Sequence, residues 1–203
     1  MRKVAVIGSS GAIGRAFVDH YINDLSINSI FSFSRSSIGI DNNKVKHFSI
    51  DIENESSIEN AAKSVEETNF DEIIIASGLL HTNEFGPEKS IKDLKADNIL
   101  KVLNVNTVGP AIIGKYFLPL LNKDNKSVMA FLSARVGSIS ENKLGGWYAY
   151  RASKSALNQV IKTFSIELKR TNPKAIIIGL QPGTVDSELS APFKRSVSNN
   201  KLF

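Results

Sequence analysis

The chain is patterned as short apolar runs separated by segments whose apolar positions recur every three or four residues. Runs at 4–7, 29–33, 45–50, 72–76, 127–132 and 175–180 have strand length and are rich in Val, Ile and Phe. Between the first two, residues 12–25 place Ile13, Phe17, Tyr21 and Ile22 at helical spacing. Residues 150–170 repeat that pattern through Ala152, Ala156, Leu157, Val160, Ile161, Phe164 and Leu168. Residues 90–104 and 107–121 predict a long helical region broken near Asn106, with Gly109 and Pro110 as an alternative, purely structural cause of the break. Strands that alternate with helices predict a parallel sheet covered on both faces. Right-handed crossovers then make it doubly wound, with ligands bound beyond the carboxyl ends of the strands.

Composition adds bounds. At 203 residues, 42% hydrophobic and 22% charged, the chain fits one α/β domain with a sizeable core. Its apolar runs fall far short of the roughly 18 residues of a membrane helix. Met1, Arg2 and Lys3 lead directly into a short strand rather than the longer apolar stretch of a secretory signal, so the expected location is cytoplasmic. The absence of cysteine excludes disulfides and thiolate chemistry. His20, His47 and His81 are isolated, and no metal site is expected. The net charge of +5 comes from dispersed Lys and Arg without a basic tract, which argues against nucleic acid, although the positive field favours an anionic ligand.

The anionic ligand has a candidate site. The first apolar run ends in a turn with Gly8, Ser10, Gly11, Ile13 and Gly14, spaced G-x-x-G-x-x-G and opening a helix. Glycine lets the backbone turn and approach phosphates, and the free N–H groups of the helix start attract their charge, so this is a Rossmann-type dinucleotide loop. The next strand lacks the acid about 20 residues on that would bind a ribose 2′-hydroxyl. It ends instead in Ser34, Arg35, Ser36 and Ser37, and the Arg35 guanidinium suits a 2′-phosphate, which predicts NADP(H) over NAD(H). Arg15 supplies a second cation expected near the same phosphate. Farther on, Tyr150 and Lys154 stand four residues apart on one helix face. A neighbouring cation should pull the phenol down toward working pH, making Tyr150 a candidate proton donor to a reduced carbonyl.

Taken together these residues resemble the short-chain dehydrogenase/reductase family over nearly the whole chain, most closely its C-factor and sniffer-type carbonyl reductases. The resemblance implies further roles. Asp51, with Ile52 beside it, matches the acid that contacts the adenine. Ala76, Ser77 and Gly78 take the place of the family's Asn-Asn-Ala-Gly turn without its asparagines. Asn106 resembles the catalytic asparagine that distorts a long helix and holds a water linked to the active lysine. Tyr150 and Lys154 complete that set and also contact the cofactor. Pro182, Gly183 and Thr184, followed by Asp186 and Ser187, match the segment at the nicotinamide carboxamide. A homodimer or homotetramer is implied as well.

Two departures stand out. The family's serine that orients the substrate carbonyl falls on Ala134, which has no donor; Ser133 and Ser138 are both candidates to replace it. The polar stretch 184–203 ends where the family usually continues through another helix and strand, so either the chain is a fragment or its end is unusual; the expected domain is residues 1–203. The functional expectation is an NADP(H)-dependent oxidoreductase acting on a small carbonyl or alcohol. The competing expectation is a non-catalytic NADP(H)-binding signalling or scaffold protein. Nucleotide-sugar epimerisation uses similar motifs but needs a larger substrate domain than 203 residues allow.

Overall fold

A computed structural model describes residues 1–183 and Val185. Six strands, β1 (Arg2–Ile7), β2 (Ile27–Ser34), β3 (Val45–Ser49), β4 (Glu72–Ile75), β5 (Ser127–Leu132) and β6 (Ala175–Leu180), form one sheet. All pair in parallel, in the order β3-β2-β1-β4-β5-β6. The chain enters at β1, works outward to β3, then returns past β1 to build the other half, so the loops leaving β1 and β4 diverge and open a crevice at the carboxyl edge. Each strand matches a predicted run to within two residues at either end.

Val4 to Ile7 are all fully buried, as expected of a strand covered on both faces. Alternation assigns the faces. Ala5 and Ile7 pack with Phe33, Phe117 and Phe131 on one side, whereas Val4 and Val6 pack with Val18, Tyr21 and Ile30 on the other. Phe33 meets Phe117 edge-on at 5.4 Å, a favoured aromatic geometry. The covering helices are α1 (Ala12–Asn23), α2 (Glu55–Lys63), α3 (Ala96–Leu103), α4 (Gly109–Phe117) and α5 (Tyr148–Leu168). Among the described residues no helix is long and apolar enough to cross a membrane.

The predicted long helix does not begin at residue 90. A short 3₁₀ turn, Ile91–Asp93, is capped by the Ser90 side chain, and α3 starts at Ala96. The break near Asn106 is present as a π-helical turn over Asn104–Val108, closed by the Gly109 N–H on the Asn104 carbonyl five residues back. The residues named for the break sit at it. Asn106 is fully buried and bonded outside its own helix, and a Cβ on Gly109 would lie 2.6 Å from the Ile52 carbonyl oxygen.

Candidate active site

A cleft of about 410 Å³ runs along the carboxyl ends of the central strands, and Gly8, Ser10 and Gly11 form one wall. The three motif glycines have different reasons to be there. Gly8 turns with φ +87°, and a Cβ on it would stand 2.9 Å from the Ala76 carbonyl carbon. Gly14 is buried beneath that turn, where a Cβ would come within 2.2 Å of the Gly8 carbonyl oxygen. Gly11 caps α1 with φ −77° and ψ 161°, ordinary for any residue, and its hypothetical Cβ meets nothing closer than 3.5 Å. Nothing in the described fold demands a glycine there. Its bareness opens the backbone to whatever fills the cleft, on the α1 dipole's positive end. Ile13 is half-buried and does not line the cleft.

Opposite this wall lie Arg35, Asp51 and Ile52. Arg35 is exposed, just past the end of β2. Arg15, expected to bring a second cation near the same phosphate or else to be an ordinary solvated helix residue, is exposed on α1. Its guanidinium holds Asp19 at 3.1 Å and donates to the Ile38 carbonyl at 3.0 Å, bracing the loop that follows Arg35. Asp51 is fixed by its own turn, its carboxylate accepting the Glu53 N–H at 3.0 Å. Ala76, Ser77 and Gly78 form the floor, where the Ser77 hydroxyl is buried without a hydrogen-bond partner among the described residues. A buried hydroxyl without a partner at the lining of a cleft is the condition in which a polar ligand would complete the pairing. Glu53 and Lys101, 2.6 Å apart, close the rim. Sequence gave no sign of that pair, since its members lie 48 residues apart.

Beside Gly78, which lines the cleft, the predicted catalytic residues come together. Lys154 is 2% exposed, donates to the Leu132 carbonyl at 2.8 Å, and lies 5.7 Å from the centre of the Tyr150 ring. A Cβ on Gly78 would sit 3.7 Å from the Lys154 ammonium and 3.8 Å from Asn106 Oδ1. The Asn106 amide docks on one backbone segment, accepting the Leu79 N–H at 2.7 Å and donating to the Leu79 carbonyl at 2.8 Å. Its second N–H goes to the Ser153 hydroxyl at 3.0 Å, which ties the π turn to α5.

The electrostatics correct one expectation. Burial pushes the Tyr150 phenol up to about 12 and the Lys154 ammonium down to about 8. Desolvation disfavours both charged forms and outweighs the lysine's pull on the phenol. At pH 7 the site therefore presents a neutral phenol and an ammonium.

The two serines also separate. Ser133 is buried with its hydroxyl donating to Asn158 on α5 at 2.6 Å, so it locks β5 to that helix. Ser138 is half-buried, and among the described residues its hydroxyl has only long contacts of 3.4 Å to Ser140 and to the Glu141 N–H. It follows Gly137, which rests on the Lys154 backbone, where a Cβ would come within 2.8 Å. Ala134 is half-exposed and contributes no donor. Pro182 and Gly183 are exposed beyond β6, outside the cleft lining, and Thr184, Asp186 and Ser187 lie outside the described residues.

Sequence reasoning missed the segment that delivers Tyr150. Gly145, Gly146 and Trp147 have φ of 66°, 63° and 53°, three successive left-handed residues directly before α5. A bulky residue in that conformation is uncommon and costs on the order of 1–3 kcal/mol unless its surroundings hold it. Glu88, only 5% exposed, lies against this turn and accepts the Ala149 N–H. A carboxylate 61 residues away leaves no local signal of such a contact.

A family model described as short chain dehydrogenase matches residues 2–197. The chain is 30% identical to 1-hydroxy-2-glutathionyl-2-methyl-3-butene dehydrogenase of Rhodococcus sp. (strain AD45) over 71% of its own length and 60% of that protein. It is also 30% identical to C-signal of Myxococcus xanthus, over 51% of its length and 61% of that protein. The chain thus spans about three fifths of these curated relatives. Among solved structures it superposes on an NADPH-bound carbonyl reductase from chicken fatty liver with a TM-score of 0.85 at 21% identity, covering 100% of this chain and 82% of that one. The carbonyl reductase Sniffer of D. melanogaster gives a TM-score of 0.82 at 23% identity, covering 93% and 83%. These likenesses establish the fold.

Proposed function

The chain belongs to the short chain dehydrogenase family, and on that premise we propose that it is an NADP(H)-dependent oxidoreductase that interconverts a small carbonyl compound and its alcohol. The observation that carries this is the gathering of Tyr150, Lys154 and Asn106 beside Gly78, a residue of the glycine-walled cleft. Gly8, Ser10 and Gly11 would receive the pyrophosphate, Arg35 the 2′-phosphate and Asp51 with Ile52 the adenine. Ser77 and Gly78 would face the nicotinamide half, near Lys154. When bound, the nicotinamide supplies or accepts the hydride.

The residues handle the proton. In the reducing direction the neutral Tyr150 phenol protonates the oxygen of the forming alcohol. Burial, which holds the phenol well above its ordinary value, keeps the proton on Tyr150 until charge develops beside it. Lys154, an ammonium at neutral pH, stabilises the phenolate that results. The Asn106 side chain is committed to Leu79 and Ser153, which leaves its backbone carbonyl to hold a relay water. Pro110, four residues on, has no N–H to offer that carbonyl. With Ser133 engaged by Asn158, Ser138 is the hydroxyl we assign to orient the substrate carbonyl.

The test is NADPH oxidation by purified protein with small aldehydes, diketones and cyclic ketones, run beside Tyr150→Phe. Turnover that disappears in the variant supports the assignment. Tight NADPH binding without turnover on any substrate would favour a cofactor-sensing protein instead.

A further inference from the structure

We propose that Glu88 is a positioning residue for Tyr150, setting the start of α5 so that the phenol points into the site. The inference rests on the oxidoreductase function proposed above. Tyr150 is the third residue of α5, so its direction depends on how that helix begins. Trp147, the residue before the helix, offers no side-chain cap, and the first N–H groups need acceptors from elsewhere. Glu88 supplies two. Its backbone carbonyl takes the Trp147 N–H at 2.6 Å, and its carboxylate takes the Ala149 N–H at 3.2 Å.

The rest of the turn is held with equal economy. Arg151, one residue after Tyr150, reaches back to the Gly146 carbonyl at 3.0 Å and the Gly145 carbonyl at 3.3 Å. Asn142 accepts the Gly145 N–H at 3.0 Å. A Cβ on Gly146 would lie 3.3 Å from the Glu88 carbonyl oxygen, so the left-handed turn fits closely against this residue. Trp147 meets the Tyr150 ring edge-on with centres 6.2 Å apart. A carboxylate also suits the positive end of a 21-residue helix. Glu88 lies in the same segment after β4 that contributes Ser77 and Gly78 to the cleft, so one segment both lines the cleft and holds the start of the helix carrying the proton donor. Glu88 touches no reacting atom and acts through the turn.

Trp147 is the only tryptophan in the chain, which makes its fluorescence a reporter of this turn that does not require turnover. In the full-length protein, Glu88→Ala should shift Trp147 emission and lower kcat by about tenfold to a hundredfold, the loss a displacement of about 1 Å causes. NADPH affinity should stay within about twofold, because Glu88 is not among the residues lining the cofactor cleft. Glu88→Gln retains an acceptor of the same shape and should restore the wild-type emission and most of kcat. Should the alanine variant not fold, Glu88→Asp, which draws the carboxylate back by one methylene, replaces it with the same expectation. Unchanged Trp147 emission in the shortened variant, or a kcat loss matched by an equal loss of NADPH affinity, overturns the proposal. So does a lowered melting temperature with kcat intact. If the wild type shows no Tyr150-dependent turnover, the proposed function fails, and the Trp147 emission of the variants still decides whether Glu88 sets the turn.

Discussion

Gly11→Ala and Gly14→Ala separate what the glycine turn does for the fold from what it does for the cofactor. At Gly14 an added Cβ would lie 2.2 Å from the Gly8 carbonyl oxygen and 2.9 Å from the Ser9 Cα, both backbone atoms. Ordinary carbon contact is about 3.5 Å, so helix and turn must part by roughly 1 Å, an overpacking that costs about 1–3 kcal/mol. For a chain of about 200 residues that lowers the melting temperature by roughly 2–10 °C. At Gly11 the backbone is already in a region open to alanine and the nearest atom is 3.5 Å away. The poorer N-cap and the stiffer unfolded chain each contribute about 0.5–1 kcal/mol with opposite signs, so stability should hold to within about 1 kcal/mol. The same methyl stands where the pyrophosphate must approach, and one lost charge-assisted hydrogen bond is worth about 1.5–3 kcal/mol, about ten- to a hundredfold in Kd. Thermal unfolding and NADPH titration of both variants make the comparison. A Gly11→Ala protein that melts normally and binds NADPH as tightly as wild type would falsify the placement of the cofactor in this cleft.

Arg35→Asp should move preference from NADPH toward NADH in paired Kd measurements; an unchanged ratio sinks the assignment of the 2′-phosphate site. Burial holds Lys154 near 8, below its ordinary 10.5, so between those values the unfolded chain keeps a proton that the folded one has shed, and stability rises with pH. Tyr150, raised to about 12, acts in the opposite sense only above its ordinary 10. Lys154→Met should therefore flatten the rise in urea midpoint from about pH 8 to about pH 10, and a slope equal to that of wild type would contradict the buried ammonium. Ser133→Ala breaks a 2.6 Å hydrogen bond to Asn158 and should cost about 1–3 kcal/mol of stability while leaving kcat within about twofold. Ser138→Ala should lower kcat by about 10²–10³ with little effect on stability, and equal turnover in both serine variants would leave the orienting donor unassigned.

The sheet was legible in the sequence because the inner strands β1, β4 and β5 are nearly continuous apolar runs, as double covering requires, while the edge strand β3 shows the mixed pattern of a half-exposed strand. The glycine turn was equally legible, since the Gly8 φ and the approach of Gly14 to Gly8 are set within a few residues, whereas the approach of Gly8 to Ala76 belongs to the folded sheet. The break at Asn106 was visible, but its form as a π turn depended on docking against Leu79, a contact between distant segments. Long-range polar partners were not legible. Neither the Ser133 bond to Asn158 nor the Glu88 cap on α5 leaves a periodic trace, because each joins elements that meet only in the folded sheet. The Tyr150 phenol was misjudged for a related reason: spacing reveals the neighbouring cation, whereas burial, which dominates, belongs to the tertiary structure.

The most direct test of hydride transfer assisted by Tyr150 uses NADPH deuterated at both C4 positions of the nicotinamide and a small diketone, with the product alcohol examined by mass spectrometry. Deuterium on the carbinol carbon with wild-type protein, and none above background with Tyr150→Phe, is the expected result. Product without deuterium, or equal transfer in the phenylalanine variant, would contradict a reductase in which Tyr150 supplies the proton.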